Sequence, residues 1–122
     1  MAGPPILIVD DDRDTLEMLN VILTSHDYPV IEAVNGEEGL AAARRHRPEL
    51  IVLDLMMSVM DGFRVLHELS KDDELQRIPV LVCSGHPQAV RRAVRAGASD
   101  CISKPFLVEE FEEKVRQLYR AG

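Results

Sequence analysis

Four short apolar runs in this chain each end on a side chain suited to phosphate chemistry. Ile6-Leu7-Ile8-Val9 leads into Asp10 and Asp11, and Leu50-Ile51-Val52-Leu53 into Asp54. Val80-Leu81-Val82-Cys83 leads into Ser84, and Ile102-Ser103 into Lys104. If these runs are neighbouring parallel strands, three carboxylates, a hydroxyl and an ammonium gather at one edge of one sheet. Ligand crevices in open α/β sheets lie at the carboxyl ends of the strands. Three adjoining carboxylates repel one another, and a hard divalent cation relieves that repulsion. Mg2+ takes octahedral oxygen coordination, commonly one or two carboxylates with waters and phosphate oxygens. Asp11 and Asp54 are the expected direct ligands, with Asp10 direct or through water. The absence of His or Cys nearby in sequence argues against zinc.

A carboxylate in such a place can also be a nucleophile, since Asp forms aspartyl phosphates. Phosphoryl transfer needs positioning and charge neutralisation more than covalent help. Asp54 is the expected acceptor, because it stands alone at the end of the central run and starts a loop. Lys104 would supply a point charge to phosphoryl oxygens, and Ser84 a hydroxyl donor. Taken singly, each residue also suits a turn, a helix cap or a solvated surface. The conjunction at four strand ends is what points to a site.

The elements that must position these groups follow from hydrophobic periodicity. Consecutive apolar residues near 6–10, 50–54, 79–83 and 101–103 suit strands buried on both faces, hence a parallel sheet. The mixed run near 30–34 reads as an edge strand. Leu16, Leu19, Ile22 and Leu23 form a helical stripe over 13–25, with Asp12 as N-cap. Asn35 and Glu38 resemble a capping box for a helix over 36–46, with Pro48 just beyond its end. Asp61-Gly62 opens a helix over 61–70 with an apolar face of Phe63, Leu66 and Leu69. Val90, Ala93 and Val94 mark a helix over 88–96, stopped by Gly97. Leu107, Phe111, Val115 and Leu118 mark the last, over 107–120, with Glu110–Lys114 and Glu112–Arg116 as supporting pairs. Arg91, Arg92 and Arg95 form a basic stripe on the fourth helix, read as a solvated face ahead of a docking patch. Five strands alternating with five helices predict a three-layer, doubly wound (βα)5 sheet. Among common orders, 2-1-3-4-5 brings the first and third strands together, so that Asp10, Asp11 and Asp54 meet.

The 122 residues fit a single domain, 1–122, with one aliphatic core, for there is no Trp. A net charge of −7 argues against direct nucleic-acid binding by this domain. No apolar stretch reaches the roughly 20 residues of a membrane span, and residues 1–5 lack the pattern of a signal peptide. The two cysteines make a weak disulfide case, and Cys83 reads as a small buried hydrophobe. The expected setting is therefore cytoplasmic and reduced.

Over nearly its full length the chain resembles the receiver (phosphoacceptor) domain of two-component response regulators. The resemblance rests on Ile6 to Asp12, on Asp54 with Met57 and Met60-Asp61-Gly62, and on Pro79 to Ser84. Gly97-Ala98-Ser99-Asp100 and Lys104-Pro105-Phe106 complete it. It implies a signalling switch rather than an enzyme, one that assists its own phosphorylation and dephosphorylation. Asp54 would accept phosphate from a sensor histidine kinase or phosphotransfer protein. Asp10, Asp11, Asp54 and the backbone carbonyl of Met56 would hold Mg2+. Ser84 would be the switch hydroxyl and Lys104 the phosphate-pairing cation, with a cis peptide between Lys104 and Pro105. The face built from the fourth helix, fifth strand and fifth helix would serve an output domain, an effector protein or a homodimer. The chain departs from the family at Ser58, where Pro is common, and at Cys101, where an aromatic residue is common. By the same resemblance, Met56 and His86 occupy positions that in the family tune the lifetime of the phosphoryl group.

Overall fold

The computed structural model describes residues 3–57 and 59–119. Its elements run β1 (Ile6–Val9), α1 (Arg13–Thr24), β2 (Val30–Ala33), α2 (Gly36–His46), β3 (Leu50–Asp54) and α3 (Gly62–Ser70). They continue with β4 (Val80–Ser84), α4 (Pro87–Arg95), β5 (Asp100–Ser103) and α5 (Val108–Leu118). The five strands form one parallel sheet in the order β2-β1-β3-β4-β5, as expected. Because side chains alternate along a strand, the sheet feeds two apolar layers. Leu7, Val9, Ile51, Leu53, Val80 and Val82 pack with α2, α3 and α4, while Ile6, Ile8, Leu50, Val52, Leu81 and Cys83 pack with α1 and α5. β2 and β5 are the edges, each less buried than the three strands between them.

The caps bear out the helix starts. The Asp12 carboxylate accepts the Asp14 N–H, and Asn35 accepts the Glu38 N–H at 2.9 Å. The reciprocal bond from Glu38 takes the N–H of Val34 at 3.2 Å, one residue before the N-cap. Asp61 accepts the Arg64 N–H at 3.0 Å. Gly97, at φ 113°, takes the left-handed turn that ends α4.

Several expectations needed correction. Helix α5 begins at Val108, and Leu107, 71% exposed, stands before it rather than in its apolar face. Val94 points to solvent, 50% exposed, while Val65 joins Leu66 and Leu69 under α3. A 3-10 turn at Leu75–Arg77 was not foreseen. The supporting ion pairs of α5 are different ones. Lys114 bonds Asp100 of β5 at 3.1 Å and Glu112 bonds His26 after α1 at 2.7 Å, while Arg116 pairs with Glu113. Once packed, a half-buried side chain has tertiary partners as near as its neighbours one turn away. Ser58 and the expected end of the last helix at Arg120 lie outside the described residues.

Candidate functional site

The order of the sheet brings the ends of β1 and β3 together, since Val9 stands beside Leu53 in register. Asp10 follows β1 and is only 3% exposed. Its Oδ1 accepts the N–H of Asp12 at 2.9 Å, and its Oδ2 takes Lys104 Nζ at 3.2 Å. Asp11 is exposed beside it. Asp54, 8% exposed, is the last residue of β3. Its Oδ1 accepts the N–H of Met56 at 3.4 Å and lies 3.7 Å from Lys104 Nζ. Carboxylate oxygens of Asp10, Asp11 and Asp54 all fall within 4.8 Å of one another. Asp12 is drawn out of this group by its capping role and its bond to Thr15 at 2.9 Å.

The loop after Asp54 is held by a close approach of backbone to backbone. Gly62 donates its N–H to the Leu55 carbonyl at 2.9 Å. A Cβ at Gly62 would lie 2.7 Å from Leu55 Cα and 2.8 Å from the Asp54 carbonyl oxygen. Only glycine lets α3 start so near the strand end that carries Asp54.

The electrostatics reflect the crowding. Burial pushes the Asp54 carboxyl up to about 6, the Asp10 charge adds to the rise, and Lys104 with the Met56 N–H opposes it. Burial alone would lower Lys104, yet Asp54 and then Asp10 outweigh it, so the ammonium is held more firmly protonated than usual. The oxygen-only donors of the three carboxylates and their spacing fit a hard divalent ion.

Ser84 ends β4 and is fully buried. Its carbonyl accepts the Lys104 N–H at 2.8 Å, which ties the β4 and β5 ends together. Its hydroxyl accepts the N–H of His86 at 3.1 Å, and among the described residues no hydrogen bond joins that hydroxyl to Asp54 or to the Lys104 ammonium. The Lys104–Pro105 peptide is cis, as the resemblance implied. Cys83, at the penultimate position of β4, is an inert buried thiol pushed up to about 12 by burial. Met56 stands in the loop after β3 and is 56% exposed. Cys101 packs against the α3 and α4 side of the sheet.

One participant escaped the sequence reading. Arg92 of α4 stands over the Phe63 ring, 4.4 Å from its centroid. Both line an open cleft with Asp11, Leu55, Met56, Met57 and Asp61. Arg91, Arg92 and Arg95 read as a solvated helix face, and nothing local marks the one that crosses to α3.

Fold and site together define a doubly wound α/β module carrying an acidic cleft ready for a cation. A family model for the response regulator receiver domain matches residues 6–116. The chain belongs to that family, the receiver domains of two-component response regulators. Over 119 residues it is 40% identical to the DNA-binding dual master transcriptional regulator RpaA of Synechocystis, covering 96% of this chain and 49% of that protein. It is 35% identical over 102 residues to protein PilH of Pseudomonas aeruginosa, covering 82% of this chain and 84% of PilH. The chain spans about half the length of most of these curated relatives. Among solved structures, chemotaxis protein CheY4 of Vibrio cholerae superposes with a TM-score of 0.88 at 26% identity, covering 95% of this chain and 98% of that one. The receiver domain of sensor histidine kinase PA1611 from Pseudomonas aeruginosa, with a magnesium ion coordinated in its active-site cleft, superposes at 0.89 with 25% identity, covering 96% and 98%.

Proposed function

We propose that the chain works as one receiver unit over 1–122 and that Asp54 is its phosphoacceptor. The observation that carries this reading is the gathering of Asp10, Asp11 and Asp54 within 4.8 Å, with Lys104 bound to two of them. Asp10, Asp11, Asp54 and the Met56 backbone carbonyl would hold Mg2+, which when bound neutralises carboxylate and phosphoryl charge together. The donor is a phosphohistidine on a sensor histidine kinase or phosphotransfer protein. A carboxylate oxygen of Asp54 attacks phosphorus, the P–N bond breaks, and its electron pair stays on the imidazole. Lys104 meets the incoming phosphoryl oxygens, while β3 and the Gly62 contact hold the nucleophile in place. The same groups assist transfer to water, with exposed Met56 and His86 standing where they would govern its access.

The switch follows from charge. Phosphorylation adds about −1.5 to −2 charge at the mouth of the sheet. Ser84 then exchanges its bond with the His86 N–H for one to a phosphoryl oxygen, which pulls on the turn leading into α4. The α4-β5-α5 face is re-presented to an output domain, an effector or a second copy of the chain, in the cytoplasm. Cys101 replaces the aromatic ring usual at its position, so movement passes through the β4–α4 turn rather than a ring. No helix among the described residues is long and apolar enough to cross a membrane. Incubation with acetyl phosphate and Mg2+ should load one phosphoryl group, read by intact mass. Asp54→Asn should take up none; retained uptake at equal stoichiometry would refute the assignment.

A further inference from the structure

We propose that Arg92 is a specificity-determining residue for small phosphodonors, giving the α3–α4 cleft a subsite for the carboxyl end of an acyl phosphate. The inference rests on Asp54 being the acceptor. The cleft, about 630 Å3, is lined by Asp11, which clusters with the acceptor, by Met56 and by Arg92. Leu55, Met56, Met57 and Phe63 give it an apolar lining, Asp11 and Asp61 are its carboxylates, and Arg92 is its cation. No carboxylate among the described residues pairs with Arg92, whereas Lys104 is already shared between Asp10 and Asp54. The Phe63 ring lies against the guanidinium at 4.4 Å, which restricts a side chain that would otherwise wander. In a chain of net charge −7, a fixed cation in the cleft offsets the general repulsion of an anionic donor.

The chemistry selects the class of donor. When Asp54 attacks an acyl phosphate, the bond from phosphorus to the acyl oxygen breaks and its electron pair leaves on a carboxylate. No proton is needed, and a fixed guanidinium stabilises the charge that develops. A phosphoramidate instead releases an amine, which requires a proton that an arginine does not give up. The apolar wall suits a short acyl chain, which phosphoramidate lacks.

The test compares initial labelling rates with acetyl phosphate and with phosphoramidate, both with Mg2+, by intact mass. Arg92→Ala should lower the ratio of the two rates about fivefold, the size of one charge-assisted contact in a half-open cleft. Arg92→Lys should fall between, and Phe63→Leu, which leaves every charge in place, should lower the ratio in part. Arg91→Ala, one position along the same helix, should leave it unchanged. An unchanged ratio in Arg92→Ala, or an equal fall in Arg91→Ala, overturns the subsite while leaving Asp54 as acceptor. Wild-type protein labelled by neither donor overturns the acceptor reading and the subsite with it. A fall seen only in transfer from a phosphohistidine protein would make the cleft a protein-docking groove and also overturn the proposal.

Discussion

Replacing Asp54 with Asn should remove the phosphoacceptor and, in the absence of metal, make the fold more stable. Burial and the neighbouring Asp10 raise the Asp54 carboxyl from 3.8 to about 6. The folded state therefore favours its protonated form, so the stabilising contribution of this group is complete below about pH 3.8 and lost as pH rises through about 6. A difference of about 2 units is worth about 3 kcal/mol of strain at neutral pH. Asn keeps an oxygen for the Met56 N–H but gives Lys104 one partner fewer, which returns part of that gain. The expected stabilisation is about 1–3 kcal/mol at about pH 7.5 in EDTA, measured by urea denaturation. The gap should narrow as pH drops through 6 and reach about half near pH 5. Millimolar Mg2+ should raise the wild type selectively, because it binds only where Asp54 is ionised, and so close the gap. A variant less stable than wild type in EDTA at neutral pH would overturn this account, as would a gap constant across the pH series.

Lys104→Ala should leave Asp54 able to take up phosphate from acetyl phosphate while uncoupling uptake from change at α4 and β5, checked by amide NMR shifts on phosphorylation. In the metal-free state its loss also leaves buried Asp10 without its cation, at a cost of about 2–4 kcal/mol in urea unfolding. Gly62→Ala should destabilise by about 2 kcal/mol or more and slow phosphorylation, because its Cβ at 2.7 Å from Leu55 Cα displaces the loop that holds Asp54. Asn35→Ala removes the N-cap of α2, a side chain that bonds the Glu38 N–H and none of the site groups. It should cost about 1 kcal/mol with phosphorylation unchanged, which separates loss of stability from loss of chemistry.

Much of this molecule was legible in local pattern. Runs such as Leu50–Leu53 admit few structures other than a strand buried on both faces, and the capping side chains of Asp12, Asn35 and Asp61 fix helix starts within one turn of chain. The acidic and cationic site groups were readable too, because each directly follows or ends such a run. Partnerships between elements were less accessible. Lys114 and Glu112 carried plausible partners four residues away, yet each bonds another element, since packing supplies contacts that spacing along one helix does not encode.

Sequence alone determined which residues could do phosphoryl chemistry and that strands would carry them, because side-chain type and periodicity are properties of short segments. Tertiary structure alone decided that Asp10 is buried while Asp11 is exposed, that Lys104 bridges two carboxylates, and that the Ser84 hydroxyl is held by His86 in this state. It also brought Arg92 across to Phe63. The physical reason is that burial, and the charge interactions burial strengthens, depend on which distant segments share a volume of space.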